Sequence, residues 1–383
     1  MAVSPPSRLK ILLAPDKFKG SMSALQAAAA MERGLQAANV EAEIIIRPIA
    51  DGGEGTCELI GESIGAERIV ETVCGPTGTP VEAHFYQKDT EACFDASQAA
   101  GIWRLSAHER NPVRTTTRGL GEQMHSALQR GATRLIVGLG GSATCDGGAG
   151  MAAALGYRFY DARGEELNPF PSNLFGLARI EPPAQPFPEI VAACDVTNPL
   201  LGPQGSAHVF APQKGASRED VDFLEMTLEH LAEIVTRDLH CDFREAPGAG
   251  AAGGLGFGLM SFCGAKVESG FDVVAEASGL ENILRECDLI FTGEGSLDGQ
   301  TLSGKGPAGI ATLARNFGRP VVAFGGRVTS EVLEAGIFTT ALGINAQGLP
   351  VAEAMQRGPE LLAAAVAEFC ASSPLIRCSS CGG

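Results

Sequence analysis

The chain has 383 residues, 45% of them hydrophobic, and a net charge of −16 from 29 basic and 45 acidic residues; it is too long for one typical core, and its hydrophobic content excludes a disordered chain. No lysine- or arginine-rich run and no interleaved aromatic platform occurs, which argues against a nucleic-acid partner. No apolar run approaches the length of a membrane span and MAVSPPSRLK lacks an apolar signal region, so a cytoplasmic protein that does not engage the membrane is expected. The 49 glycines concentrate in short loops without a collagen-like period, a pattern of many tight strand-to-helix turns that favours an α/β fold. Eleven cysteines without framework spacing are expected mostly as reduced, buried thiols, with Cys378 and Cys381 a lone C-x-x-C in the tail.

Residues 10–14 (KILLA) read as a buried strand, followed by PDKFKGSMSA and an alanine-rich helix over about 24–38 that Ser21 or Ser23 can cap. Lys17 and Lys19 fall in the loop at the strand's carboxyl end, where open α/β sheets bind ligands. A second strand at 43–48 ends in IADGGEGT, placing Asp51 and Glu54 at a helix start, as caps or as carboxylates facing the same crevice as Lys17. From Arg68 the period changes to alternating segments, RIVETVCG, PVEAHFYQ and EACFDAS, which predict antiparallel strands and a domain boundary.

A helix to about Arg130 then leads into RLIVGLGGSATCDGGAGMAAAL, a buried strand, a glycine-dense turn and a helix. Gly140, Gly141, Ser142, Gly147 and Gly148 can let the backbone approach a phosphate there, and Asp146 either caps the helix or holds a substrate hydroxyl or metal. Strand 190–194 ends at Asp195 before an irregular loop that continues to Lys214 in APQKGA. A long amphipathic helix over about 218–239 precedes PGAGAAGGLGFGLMSF, whose uncharged glycines suit close packing better than ligand contact. From 288 the βα alternation returns, with Glu294, Asp298 and Lys305 in TGEGSLDGQTLSGKGP after the strand DLIFT.

Two generic fingerprints compete for this pattern. Residues 138–143 match G-x-G-x-x-A with Asp161 about 20 residues on, which supports an NAD-dependent dehydrogenase as an alternative, although three further glycines and Asp146 stand where a Rossmann helix belongs. Residues 299–306 approach a Walker A loop, but Gly306 occupies the position of its magnesium-binding hydroxyl. The loops together offer lysines, carboxylates and glycine cradles, the parts phosphoryl transfer requires; a nonenzymatic ligand sensor is a third reading.

The blocks APDKFKGSMSA, PIADGGEGT, GLGGSATCDGGAGM, CDVTNPLLGPQGSAHVFAPQKGA, PGAGAAGGLGFG and TGEGSLDGQTLSGKGP run in order from about Leu9 to Gly326 and resemble the signature blocks of the bacterial-type (class I) glycerate kinase family. The resemblance implies ATP- and Mg²⁺-dependent phosphorylation of D-glycerate, with the 2-hydroxyl favoured over the 3-hydroxyl, in a cleft between two domains. It leaves a homodimer open. The expected fold is a Rossmann-like parallel-sheet domain, residues 1–67 and 287–383, with a second mixed α/β domain, 68–286, inserted into it. Cys145, Lys17 and Gly306 depart from the residues expected there (Asn, Ser and a Thr or another small residue).

Strand-end placement suggests the roles. Asp195 orients or deprotonates the hydroxyl, Lys19 and Lys214 hold carboxylate or γ-phosphate, and Glu294 or Asp298 helps hold Mg²⁺. Gly140, Gly141, Ser142, Gly147, Gly148 and Lys305 are expected against ATP, and Lys17, Ser21, Asp51, Glu54 and Asp146 against substrate.

Overall fold

The computed structural model describes residues 8–50, 52–53, 55–303 and 306–377. In chain order its strands are β1 (Leu9–Leu13), β2 (Ala42–Ile46), β3 (Glu67–Cys74), β4 (Pro80–Lys88), β5 (Glu91–Asp95), β6 (Arg134–Gly138), β7 (Arg158–Asp161), β8 (Leu177–Glu181), β9 (Glu189–Ala193), β10 (Lys266–Glu268), β11 (Leu289–Leu297), β12 (Val321–Val328) and β13 (Thr340–Gly343). The chain divides into two compact units, Met1–Asp51 with Val274–Gly383, and Gly52–Val273.

The first unit holds a five-stranded, all-parallel sheet in the order β13-β12-β11-β1-β2. Its apolar runs carry no polar alternation because helices cover parallel strands on both faces. Ile11, Leu13, Phe291, Val322 and Phe324 share one core with residues of helices Ala24–Ala37 and Gly358–Ser372. Within it Phe291, Phe324 and Phe369 meet edge to face, with centroids 5.5, 5.7 and 6.3 Å apart, a geometry that places ring edges against π-faces. Ser23 rather than Ser21 caps the first helix: its hydroxyl accepts from Gln26 N at 3.2 Å, and its N–H donates to Gln26 Oε1 at 2.9 Å, a reciprocal capping box.

The second unit is built on a six-stranded mixed sheet, β10-β9-β6-β5-β4-β3. The hairpins β3-β4 and β4-β5 are antiparallel, as the alternating pattern predicts, while β5, β6, β9 and β10 run parallel. A separate antiparallel pair is formed by β7 and β8.

Both boundaries differ from the expected 67/68 and 286/287. Helix Thr56–Ile64 packs on β4, β5 and β6, and helix Leu280–Glu286 packs on β1 and on helix Pro307–Arg315. Each segment goes with the sheet that buries its apolar side.

The two glycine-rich segments of the second unit pack on each other. Gly147 N donates to Gly253 O at 3.1 Å. A Cβ on Gly258 would stand 2.5 Å from Gly147 O, and one on Gly253, where φ is +76°, only 1.8 Å from Thr144 O. Helix Ala251–Cys263 is broken at Ala252, Gly253 and Gly254, all with positive φ, so the chain turns there to bring backbone against backbone.

Gly253→Ala should therefore cost about 3 kcal/mol or more, because either the turn or the contact must give way. Gly164→Ala, also at positive φ (+83°) but with open space around the added methyl, should cost only about 1–2 kcal/mol. Thermal unfolding of the two variants side by side checks this; equal losses would show that the backbone contact is not limiting.

Candidate functional site

In the first unit the sequence returns to the sheet on opposite sides of β1: the chain leaves β1 for β2, whereas β11 lies on β1's other side and leads outward to β12 and β13. Such a reversal opens a crevice at the carboxyl ends of the two central strands. A cavity of about 670 Å³ lies there, reaching from the ends of β1 and β11 to the region after β13. Among the described residues, the cationic side chains of Lys17, Lys19 and Arg327 and the carboxylates of Asp16, Glu294 and Asp298 line it. Ile344, Val351, Met355 and Leu361 supply an apolar wall.

The carboxylates are held by their own loops. Asp16 is 6% exposed, and its Oδ1 accepts from Lys17 N at 2.6 Å. Thr301 donates its hydroxyl to Glu294 Oε1 at 2.7 Å. Asp298 accepts from the Ser296 hydroxyl at 2.8 Å and from Gln300 N at 2.9 Å, while its own N–H donates to Thr301 Oγ1 at 3.0 Å. Ser21, expected against substrate, lines the cavity, and its hydroxyl donates to Met355 O at 2.6 Å, which fastens the lysine-bearing loop to the apolar wall.

Among the described residues no group of three or more His, Cys, Asp or Glu is arranged to cage a metal. Mg²⁺ bound with a nucleotide needs less, usually one or two carboxylates with phosphate oxygens and waters completing its shell. The hard oxygen donors Asp16, Glu294 and Asp298 fit that requirement.

In the second unit the ends of β5, β6 and β9 carry the remaining candidates. Asp95, 4% exposed, accepts from Gly55 N at 3.1 Å through Oδ2 and from Cys57 N at 3.2 Å through Oδ1, so it holds Gly55 and the following helix onto the sheet. Gly140 N donates to Gly52 O at 3.3 Å in the same corner. Asp195 Oδ1 accepts from Gly270 N at 3.1 Å. Gly140 and Gly141 remain accessible.

Several expectations for the glycine-rich loop need correction. Asp146 is completely buried and accepts from Thr117 N at 2.7 Å, Thr117 Oγ1 at 2.9 Å, Gly148 N at 3.1 Å and Gly150 N at 3.2 Å. It caps the loop and helix rather than meeting substrate, and it occupies the N–H groups a phosphate would need. Burial pushes its carboxyl above the ordinary value, against the pull of these donors. Gly147 and Gly148 are likewise buried, packed against Leu231 and Gly258 rather than open to ATP.

Lys214 is 3% exposed and donates to Ser142 Oγ at 2.9 Å and to Thr144 O at 2.7 Å, so its ammonium braces the loop from inside instead of presenting itself to a γ-phosphate. Burial lowers its pKa, while the neighbouring Cys145 and Asp146 act in the opposite direction. Ser142 itself is 6% exposed and is held by this ammonium. Cys145 is fully buried, and burial pushes its thiol up.

The dinucleotide alternative loses its ribose acid. Asp161 Oδ1 accepts from Arg163 N and Glu165 N in a turn beyond β7, a strand outside the six-stranded sheet. Asp51, Glu54, Lys305, Cys378 and Cys381 lie outside the described residues. Asp16, Asp95, Thr301 and Arg327 were not legible as site residues. Asp16 had a signal, since it stands just past the end of a buried strand as Asp195 does, whereas Arg327 continues β12 with no local cue.

The sequence model of the Glycerate kinase family matches residues 11–373. A protein named glycerate kinase from Bacillus subtilis (strain 168) is 39% identical over 378 residues, covering 96% of this chain and 99% of the relative. One named glycerate 2-kinase from Escherichia coli (strain K12) is 43% identical over 331 residues, covering 85% and 87%. A crystal structure of a relative from Salmonella typhimurium LT2 matches with a TM-score of 0.83 at 36% identity, covering 96% of this chain and 98% of that one. With a family match across nearly its whole length and relatives at this identity, the chain belongs to the glycerate kinase family and is a phosphotransferase.

Proposed function

We propose that the protein transfers the γ-phosphoryl group of Mg-ATP in line to the 2-hydroxyl of D-glycerate. The observation that carries this reading is the crevice at the ends of β1 and β11, where both cationic and carboxylate side chains line one cavity. In a chain of net charge −16, a polyanion needs local positive groups, and Lys17, Lys19 and Arg327 supply them for phosphate oxygens. One or two of the carboxylates Asp16, Glu294 and Asp298 would hold Mg²⁺, which would supply positive charge to offset that of the phosphates. Phosphorylation at the 2-position is supported by the name of the E. coli relative.

Asp195 is the group assigned to the glycerate hydroxyl, supported by its place at the end of β9 and by the Gly270 N–H that fixes one of its oxygens. As the hydroxyl oxygen bonds to the γ-phosphorus and the bridging oxygen departs with ADP, the hydroxyl proton passes to the carboxylate.

With D-glycerate and ATP, ADP should be released, and phosphorus NMR should show the new ester on C2; a signal from the C3 ester would reassign the position. Removing divalent metal with EDTA should abolish turnover and added Mg²⁺ restore it. Asp195→Asn should lower kcat by about 10²–10⁴ with little change in KM for ATP, and near-normal turnover would remove Asp195 from proton transfer.

A further inference from the structure

The charged end of the cavity accounts for a triphosphate but leaves its other wall unexplained. Val351 is 74% exposed and Met355 37% exposed, one turn apart on helix Val351–Gln356, and with Ile344 and Leu361 they form an apolar surface inside an otherwise charged crevice. Residues four apart share a helix face, so Val351 and Met355 present one continuous patch. Neither belongs to the buried core of the unit.

Asn345, at the same wall, is already engaged. Its Nδ2 donates to Leu349 O at 2.9 Å and its Oδ1 accepts from Leu349 N at 2.9 Å, which closes the turn before the helix. Both ends of its amide are therefore held to the backbone, and among the described residues Ile344, Val351, Met355 and Leu361 of this wall carry no side-chain hydrogen-bonding group. The wall is also fixed to the phosphate end: Ser21 donates to Met355 O, and a Cβ on Gly20 would meet Met355 Cε at 2.5 Å.

We infer that this wall is the nucleobase subsite, taking the flat face of a purine against Val351 and Met355 while Lys17 and Lys19 face the phosphates. The inference rests on the proposed nucleotide reading of the same cavity. Because the wall recognises an apolar face rather than a pattern of donors and acceptors, it selects weakly between purines.

The test is calorimetric titration of the full-length chain with ADP, GDP and inorganic tripolyphosphate in the presence of Mg²⁺, for the wild type, Val351→Asp and Val351→Lys. Val351 is exposed, so both variants should fold. Wild type should bind ADP and GDP within about tenfold of each other, and each variant should weaken ADP about tenfold while tripolyphosphate binding stays within about twofold. Unchanged ADP affinity in both variants, or tighter binding with Lys and weaker with Asp, would overturn the subsite, the second result showing electrostatics alone. Wild type that binds tripolyphosphate as tightly as ADP would overturn it while sparing the phosphate site. Wild type that binds neither would overturn the nucleotide reading and the subsite with it.

Discussion

The buried carboxylate of Asp146 is the constraint on which the second unit turns. A charge removed from water is costly unless it is paired or hydrogen-bonded. Here four donors from Thr117, Gly148 and Gly150 converge on it. Those donors fix the path from Thr117 to Gly150, which in turn lets Gly147 approach Gly253 and lets Gly258 lie on Gly148. Lys214 braces the same loop through Ser142 and Thr144 O. A segment that looks open to an external anion thus contains its own anion and its own cation.

The first unit solves a different problem. Its glycine-containing turns surround a cavity, and its carboxylates are oriented by neighbouring hydroxyls and backbone N–H groups rather than sealed away. At the β1–β11 junction Thr292 donates its hydroxyl to Ala14 O at 2.7 Å, a buried bond that ties the two strands together just before Asp16 and Glu294 diverge. The site residues are short extensions of a rigid sheet, which is how such folds place charges with precision at strand ends.

Much of this was legible because the physics is local. The runs KILLA and DLIFT mark buried parallel strands, and the period change at Arg68 marks the antiparallel hairpins. What failed was long-range. Whether a glycine loop faces a ligand or another backbone depends on segments distant in sequence, so Gly147 and Gly148 looked like ligand contacts when Gly253 and Gly258, more than 100 residues on, were their partners, and Asp146 when Thr117, 29 residues back, was its partner. Lys214 misled for the same reason, since exposure is a property of packing and not of spacing. Asp195 and Asp298 fall at strand ends as their positions suggest, but Arg327 reaches the crevice only because β12 neighbours β11. The three residues of β10 are too few to show any period, and their pairing with β9 comes from the sheet's need for a next strand rather than from propensity.

That short strand has a consequence for the protein outside its catalytic life. A sheet edge exposes unpaired N–H and C=O groups that can template addition of a strand from another molecule. The six-stranded sheet ends on one side in only Lys266–Glu268, two of whose three side chains are charged, after which the chain turns into helix Gly270–Ala277. An intruding strand finds little ladder to extend and two charges to desolvate, so this border of the sheet resists aggregation.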